Sequence, residues 1–318
     1  MSSKRDIDFR SSPLLKPNRS LGRSMFMYRG LLIMLIPAVV WFLVFEYYPM
    51  YGVIIAFKKY RILEGIVGSP WVGLDNFERL FRSPTFLNVF RNTLLISFYK
   101  LIFGFPAPII LALLLNEIRI QKFKKAVQTI SYLPHFISWV VISALIRQLF
   151  SPTSGVVNHL LLLIGLEPIN FMIEPGFFRP MIVMANIWKD VGWGSILYLA
   201  AISSIDPQLY EAATVDGAGR FRQAISITLP SLAPVIVILF ILRVGFLMNA
   251  GFEEIFNLYN PITYSVGDIL DTYAYRVGLV EFDYSYSTTI SLFKNVIGLL
   301  MLIFTNAIVR RFSDYGVW

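Results

Sequence analysis

The chain has 318 residues, of which 56% are hydrophobic and only 15% charged, with a mean hydropathy of +0.63. A soluble globular domain carries about 25% charged residues, so this composition excludes one and indicates a polytopic membrane protein. The net charge of +8 then reads as the positive bias of membrane loops rather than a nucleic-acid surface, and the lack of cysteine excludes disulfide and thiolate chemistry.

Residues 1–29 form a basic tail carrying Lys4, Arg5, Arg10, Lys16, Arg19, Arg23 and Arg29, expected in the cytoplasm. No small-x-small cleavage site follows, so the first apolar segment, within 30–57, reads as a retained transmembrane anchor. Residues 58–87 read as an external loop; Trp71 to Phe81 within it forms either a surface amphipathic helix or a packed loop. Segment 2 covers about Thr93 to Leu115, and Pro106 and Pro108 predict a kink or break near its middle. A short basic loop with Arg119, Lys122, Lys124 and Lys125 follows. Segment 3, about Val127 to Phe150, is interrupted at Pro134-His135. Gly155 to Gly165 reads as a small apolar helix too short to cross. Segment 4 runs from about Met181 to Ile205, segment 5 from Leu229 to Ala250 and segment 6 from Thr288 to Val309.

Six crossings put both termini on one side. The basic residues gather in the tail, after segment 2, at Arg220 and Arg222 and at Arg310 and Arg311, while the last two external loops hold only Arg179 and Arg276. That asymmetry puts both termini, and the polar stretch 206–230, in the cytoplasm. Asp206 is an N-cap with Pro207 at the first helical position, and Asp216-Gly217 signals a turn, so this stretch reads as two short helices with a bend.

Glu211-Ala212-Ala213, Gly217, Ile227, Leu229 and Pro230 resemble the EAA loop of ABC importer permeases. Pro49-Met-Tyr-Gly52, Trp71-Val-Gly-Leu-Asp75, Tyr132-Leu-Pro-His-Phe-Ile-Ser-Trp139, Tyr198-Leu-Ala-Ala201 and Asp271-Thr-Tyr-Ala-Tyr-Arg276 look like the oligosaccharide branch of the carbohydrate-uptake permeases. The resemblance implies an all-α membrane protein with six transmembrane helices and the type I ABC importer permease fold, in a bacterial plasma membrane. Its transmembrane type-1 core spans 88–312, with a C-terminal tail at 313–318. It also implies that Glu211, Ala212, Ala213, Asp216 and Gly217 bear on a cytoplasmic ATPase. The implied partners are a second homologous permease, two ATPase subunits holding ATP and Mg, an external solute-binding protein and membrane lipid, with no nucleic acid. The chain itself is expected to bind no cofactor or metal and to be no enzyme. It has no Gly-Lys pair for a phosphate loop, no His-Glu-x-x-His, and only His135 and His159 as histidines. Rival readings are a different ABC cargo, such as an amino acid or peptide, and a non-transport scaffold or sensor.

Charges inside apolar segments are costly and face a bundle interior or wet cavity by default. They are Glu46, Lys100, Arg147, Lys189, Asp190, Arg243 and Lys294. Glu46, Lys100, Arg147 and Lys294 can instead snorkel to an interface. Asn186, Lys189, Asp190 and Trp193, at i, i+3, i+4 and i+7, share one face of segment 4. An aromatic plane beside charged and amide groups suits a sugar; the alternative is a structural ion pair, for example between Asp190 and Arg243. The resemblance places sugar on the two helices flanking the EAA loop, which implicates Arg243, Phe246, Leu247 and Ala250 on segment 5. The excess of cations over anions raises the expectation of an acidic oligosaccharide.

Overall fold

A computed structural model describes residues 28–312. The basic tail up to residue 27 and the C-terminal tail at 313–318 lie outside the described residues. The chain divides into two compact units at Ile54–Ile55. The first unit contains most of one helical run, α1 (Arg29–Phe57), which widens to a π-helical turn at Leu43–Tyr47.

The second unit is helical, apart from one isolated bridge between Lys58 and Trp71. After it come α2 (Asp75–Arg82), α3 (Pro84–Glu117), α4 (Gln121–Phe136), α5 (Trp139–Leu149) and α6 (Val156–Leu163). Next are α7 (Pro175–Ser203), α8 (Pro207–Val215), α9 (Arg220–Gly245), α10 (Phe252–Leu258), α11 (Leu270–Tyr275) and α12 (Tyr284–Phe312). Among the described residues four helices, α1, α3, α9 and α12, are long and apolar enough to cross a membrane, or five spans if the bent pair α4–α5 is one. Helix α7 has the length, 29 residues, but carries Asn186, Lys189 and Asp190 in its middle.

Three departures from the sequence expectations have physical causes. Helix α3 is one 34-residue run starting at Pro84, with Ser83 as its N-cap, so it begins well before Thr93. Its first turns are polar, and Asn88 and Asn92 are held by the carbonyl of Ser265. The prolines do not break it: a π-helical turn at Lys100–Gly104 directly precedes Pro106, and such widening absorbs the missing N–H and the ring's bulk. Helix α9 likewise begins at Arg220, not at Leu229, and carries a π-helical turn at Ala224–Thr228 ahead of Pro230. The break expected at Pro134-His135 is present and sharp, a bend of 103° between α4 and α5. Ser138 caps α5, its hydroxyl accepting from Val141 N at 3.4 Å.

Among the described residues the core has three apolar clusters. One joins α3, α11 and α12 around Phe86, Leu270 and Ile290. A second joins α3, α5, α7 and α10 around Ile96, Ile142, Phe178 and Ile255. The third, around Ala112, Tyr198 and Leu232, packs the far ends of α3, α7 and α9. Together they fix α7 as the helix against which the bend, α3 and α9 are all positioned.

Candidate functional site

The bend between α4 and α5 leaves carbonyls turned away from helical partners, and α7 supplies what they lack. Lys189 donates from Nζ to the carbonyls of Pro134 (3.4 Å), His135 (2.7 Å) and Ile137 (2.5 Å). It is buried, with its ammonium 5.7 Å from the Trp139 ring centre. One turn on, Gly192 brings the α7 backbone against α4, where a Cβ would overlap the Ser131 carbonyl. Lys189 therefore acts as a helix-end cap in the observed packing. It pairs with neither Asp190 nor Arg243.

Asp190, the next residue, meets the side chain of the same bend. Its Oδ1 lies 3.0 Å from His135 Nδ1, and its Oδ2 accepts from Asn186 Nδ2 at 3.3 Å. Trp193 stacks flat on the His135 ring, with centroids 4.6 Å apart and planes within 1°. Asn186 Nδ2 also reaches Glu254 Oε2 at 3.4 Å. Glu254 forms a buried ion pair with Lys100, which in turn donates to the Ala250 carbonyl at 2.6 Å. A polar chain thus runs from Lys100 through Glu254, Asn186 and Asp190 to His135. It ties α3, the start of α10, α7 and the bend together. Gly251 makes the turn into α10 at φ 102°, where a Cβ would strike the Glu254 carboxylate.

Two cavities of about 210 Å³ each open beside this chain. Asn186, Asp190 and Arg243 line one; Lys100, Arg243, Phe246, Leu247 and Asn249 line the other. Arg243 borders both. The structure therefore brings Asn186, Asp190, Arg243, Phe246 and Leu247 to adjoining cavities. Lys189 and Trp193 are not among the lining residues, and Ala250 is buried. Among the described residues Arg243 has no hydrogen-bond or ion-pair partner. The other four cations that the sequence places inside apolar segments, Lys100, Arg147, Lys189 and Lys294, are engaged. Lys100 is paired with Glu254, Lys294 with Asp271 at 2.5 Å, and Arg147 donates to the Asn257 carbonyl. Sequence reasoning did not single out Glu254 and Asp271, which fall in the external loop between segments 5 and 6, and gave His135 only a role in the bend.

The stretch 206–230 has its own geometry. Asp206 Oδ1 accepts from Gln208 N at 2.9 Å, capping α8. The turn falls at Gly217, with φ 76°. Gly217 N donates to Thr214 O (3.1 Å) and Ala218 N to Ala213 O (2.8 Å), the paired bonds of a Schellman end. Gln223 Nε2 reaches Thr214 Oγ1 at 2.9 Å, and Tyr210 meets Thr228 at 2.9 Å, so the two limbs of the elbow are tied. Glu211, Ala212, Asp216 and Gly217 are exposed on it, and Val215 and Phe221 are 89% and 81% exposed.

This bent, charge-lined helical bundle with a capped elbow is that of a transporter's membrane subunit. Residues 97–314 match the family described as the binding-protein-dependent transport system inner membrane component, and the chain belongs to it. It is 46% identical over 288 residues to the polygalacturonan/rhamnogalacturonan transport system permease protein YteP of Bacillus subtilis (strain 168), covering 91% of this chain and 90% of the relative. It is 43% identical over 311 residues to Protein LplB of the same organism, covering 97% and 98%. Among solved structures, a bacterial alginate ABC transporter in complex with an alginate pentasaccharide-bound periplasmic protein contains a chain that superposes with a TM-score of 0.87. That chain is 43% identical, with 94% of this chain and all of the other covered.

Proposed function

We propose that this chain forms half of the translocation pathway of an ATP-driven importer for an oligosaccharide bearing uronate carboxylates. The observation that carries the reading is Arg243: it borders both cavities and has no partner among the described residues. Arg243 is exposed in this chain, and a carboxylate answers an unpaired guanidinium with two parallel hydrogen bonds. A neutral sugar leaves the guanidinium unpaired. The names of the relatives support the same chemistry, since polygalacturonan and alginate are both polymers of acidic sugars and the alginate structure is described as importing an acidic polysaccharide. Asn186 and Asp190, across the first cavity from Arg243, supply an amide and a carboxylate for sugar hydroxyls. Phe246 and Leu247 supply apolar contact in the second. Lys189 and Trp193 act one layer back, holding His135 and the bend.

Six crossings follow if α4–α5 is one span and α7 another, with both termini in the cytoplasm. The elbow from Glu211 to Gly217 then faces the ATPase, and its exposed Val215 and Phe221 give it an apolar surface to dock. ATP and Mg are held by two ATPase subunits, a second homologous permease closes the pathway, and an external solute-binding protein delivers cargo. The test is ATPase activity of the reconstituted complex with its binding protein. Uronate oligosaccharides should stimulate hydrolysis in wild type. No stimulation by any oligosaccharide would favour a scaffold or sensor.

A further inference from the structure

A cavity of about 570 Å³ in the second unit plays no part in the pathway described above. It lies between α3 and α7. Its walls include Tyr99, Phe103, Pro180, Val183 and Met184, and Arg179 is the one charged residue lining it. Arg179 is half-buried and has only neutral partners: Nη2 donates to Asn92 Oδ1 at 2.7 Å, and Nε to the Val266 carbonyl at 3.1 Å. No carboxylate pairs with it among the described residues. Arg91, beside Asn92 on α3, is exposed, has no hydrogen-bond or ion-pair partner among the described residues, and repels Arg179. Arg179, with Arg91 nearby on α3, thus stands at one end of an apolar cavity; the acid at that end, Glu174 just before Pro175, is exposed and pairs with neither cation among the described residues.

We propose that this cavity is a binding site for one anionic phospholipid, its acyl chain between α3 and α7 and its phosphate on Arg179 and Arg91. The apolar walls offer sugar hydroxyls almost nothing. Met184, 71% exposed, shows that the cavity opens on an outward face of α7. In a membrane component such an opening is where a bilayer lipid enters. Pro175 and Gly176 begin α7 at the same end of the cavity as Arg179, so the cationic end lies toward a helix terminus, where a headgroup sits. The phosphate gains charge-assisted hydrogen bonds from the guanidinium hydrogens that Asn92 and Val266 leave unused. The acyl chain fills a cavity that would otherwise be void. This goes beyond the cargo reading and does not depend on it.

The test uses the whole importer in nanodiscs with a Met184→Trp reporter, comparing quenching by dibrominated phosphatidylglycerol and dibrominated phosphatidylcholine. Quenching above the unsubstituted background should be reached at a phosphatidylglycerol fraction about tenfold below that needed for phosphatidylcholine, the shift one charge-assisted contact supplies. Arg179→Gln should abolish the preference and Arg179→Lys should keep part of it. Equal quenching by both lipids, or a preference surviving Arg179→Gln, overturns the proposal. Absence of added quenching with either lipid also overturns it, and points to a protein segment over the cavity. If Arg179→Gln fails to assemble, native mass spectrometry of the wild-type complex in an equal lipid mixture decides. Selective retention of phosphatidylglycerol supports the site, and unselective retention removes it.

Discussion

The buried ion pair of Lys100 and Glu254 gives a sharp test of how the polar chain is held. Their side chains are 6% and 2% exposed, and Lys100 also donates to the Ala250 carbonyl. Replacing Glu254 with Gln keeps the shape and the Asn186 contact but leaves a buried ammonium uncompensated. Removing one partner of such a pair costs about 3–5 kcal/mol. Lys100→Met strands the carboxylate and costs a similar amount. The double variant has no buried charge to strand; what remains is chiefly the Ala250 carbonyl without its donor, about 1–3 kcal/mol. The double variant should therefore be more stable than either single one. Unfolding of the purified complex in detergent, followed by tryptophan fluorescence across a double-mutant cycle, measures this. Single-variant losses that simply add in the double variant would refute the reasoning, because they would mean the two charges do not stabilise each other.

Other predictions concern the bend, the elbow and the topology. Gly192→Ala drives a methyl into the Ser131 carbonyl and should lose about 1–3 kcal/mol, read as reduced yield of assembled complex, while Gly219→Ala, with no atom near its added Cβ, should be silent. Gly217→Pro removes the N–H that meets Thr214 O and the left-handed end of α8; Glu211→Lys reverses a charge on the exposed elbow. Both should leave the complex inserted while abolishing substrate-stimulated ATPase, and normal transport in both would remove the elbow from coupling. A reporter fused after Trp318 should read cytoplasmic; an external signal would break the six-span topology.

Much of the helical layout was legible because it rests on local chemistry. Apolar runs marked α3, α9 and α12, the Pro134-His135 pair marked the bend, and Asp206 and Gly217 marked both ends of α8. What stayed hidden depended on contacts distant in sequence. Nothing local to Glu254 shows that Gly251 turns it back onto Lys100, so it fell in the external loop between segments 5 and 6. The i, i+3, i+4, i+7 spacing did put Asn186, Lys189, Asp190 and Trp193 on one broad face. Spacing could not say that the carbonyls freed by the bend would claim Lys189 and the His135 ring Trp193. The prolines of α3 suggested a break because sequence shows the lost N–H but not the π-helical turn that absorbs it. Arg243 was visible as a charge in an apolar run; its lack of a partner could be seen only once Lys100, Lys294 and Asp190 had found theirs.

The role of Arg243 is tested most directly by competition in uptake between matched neutral and uronate oligosaccharides in proteoliposomes holding the complete importer. Wild type should prefer the uronate form, and Arg243→Gln should lower its transport by about tenfold or more while leaving any neutral uptake little changed, as expected for the loss of a bidentate charge pair. Equal loss of both cargoes in Arg243→Gln, or a wild type indifferent to the carboxylate, would contradict the account.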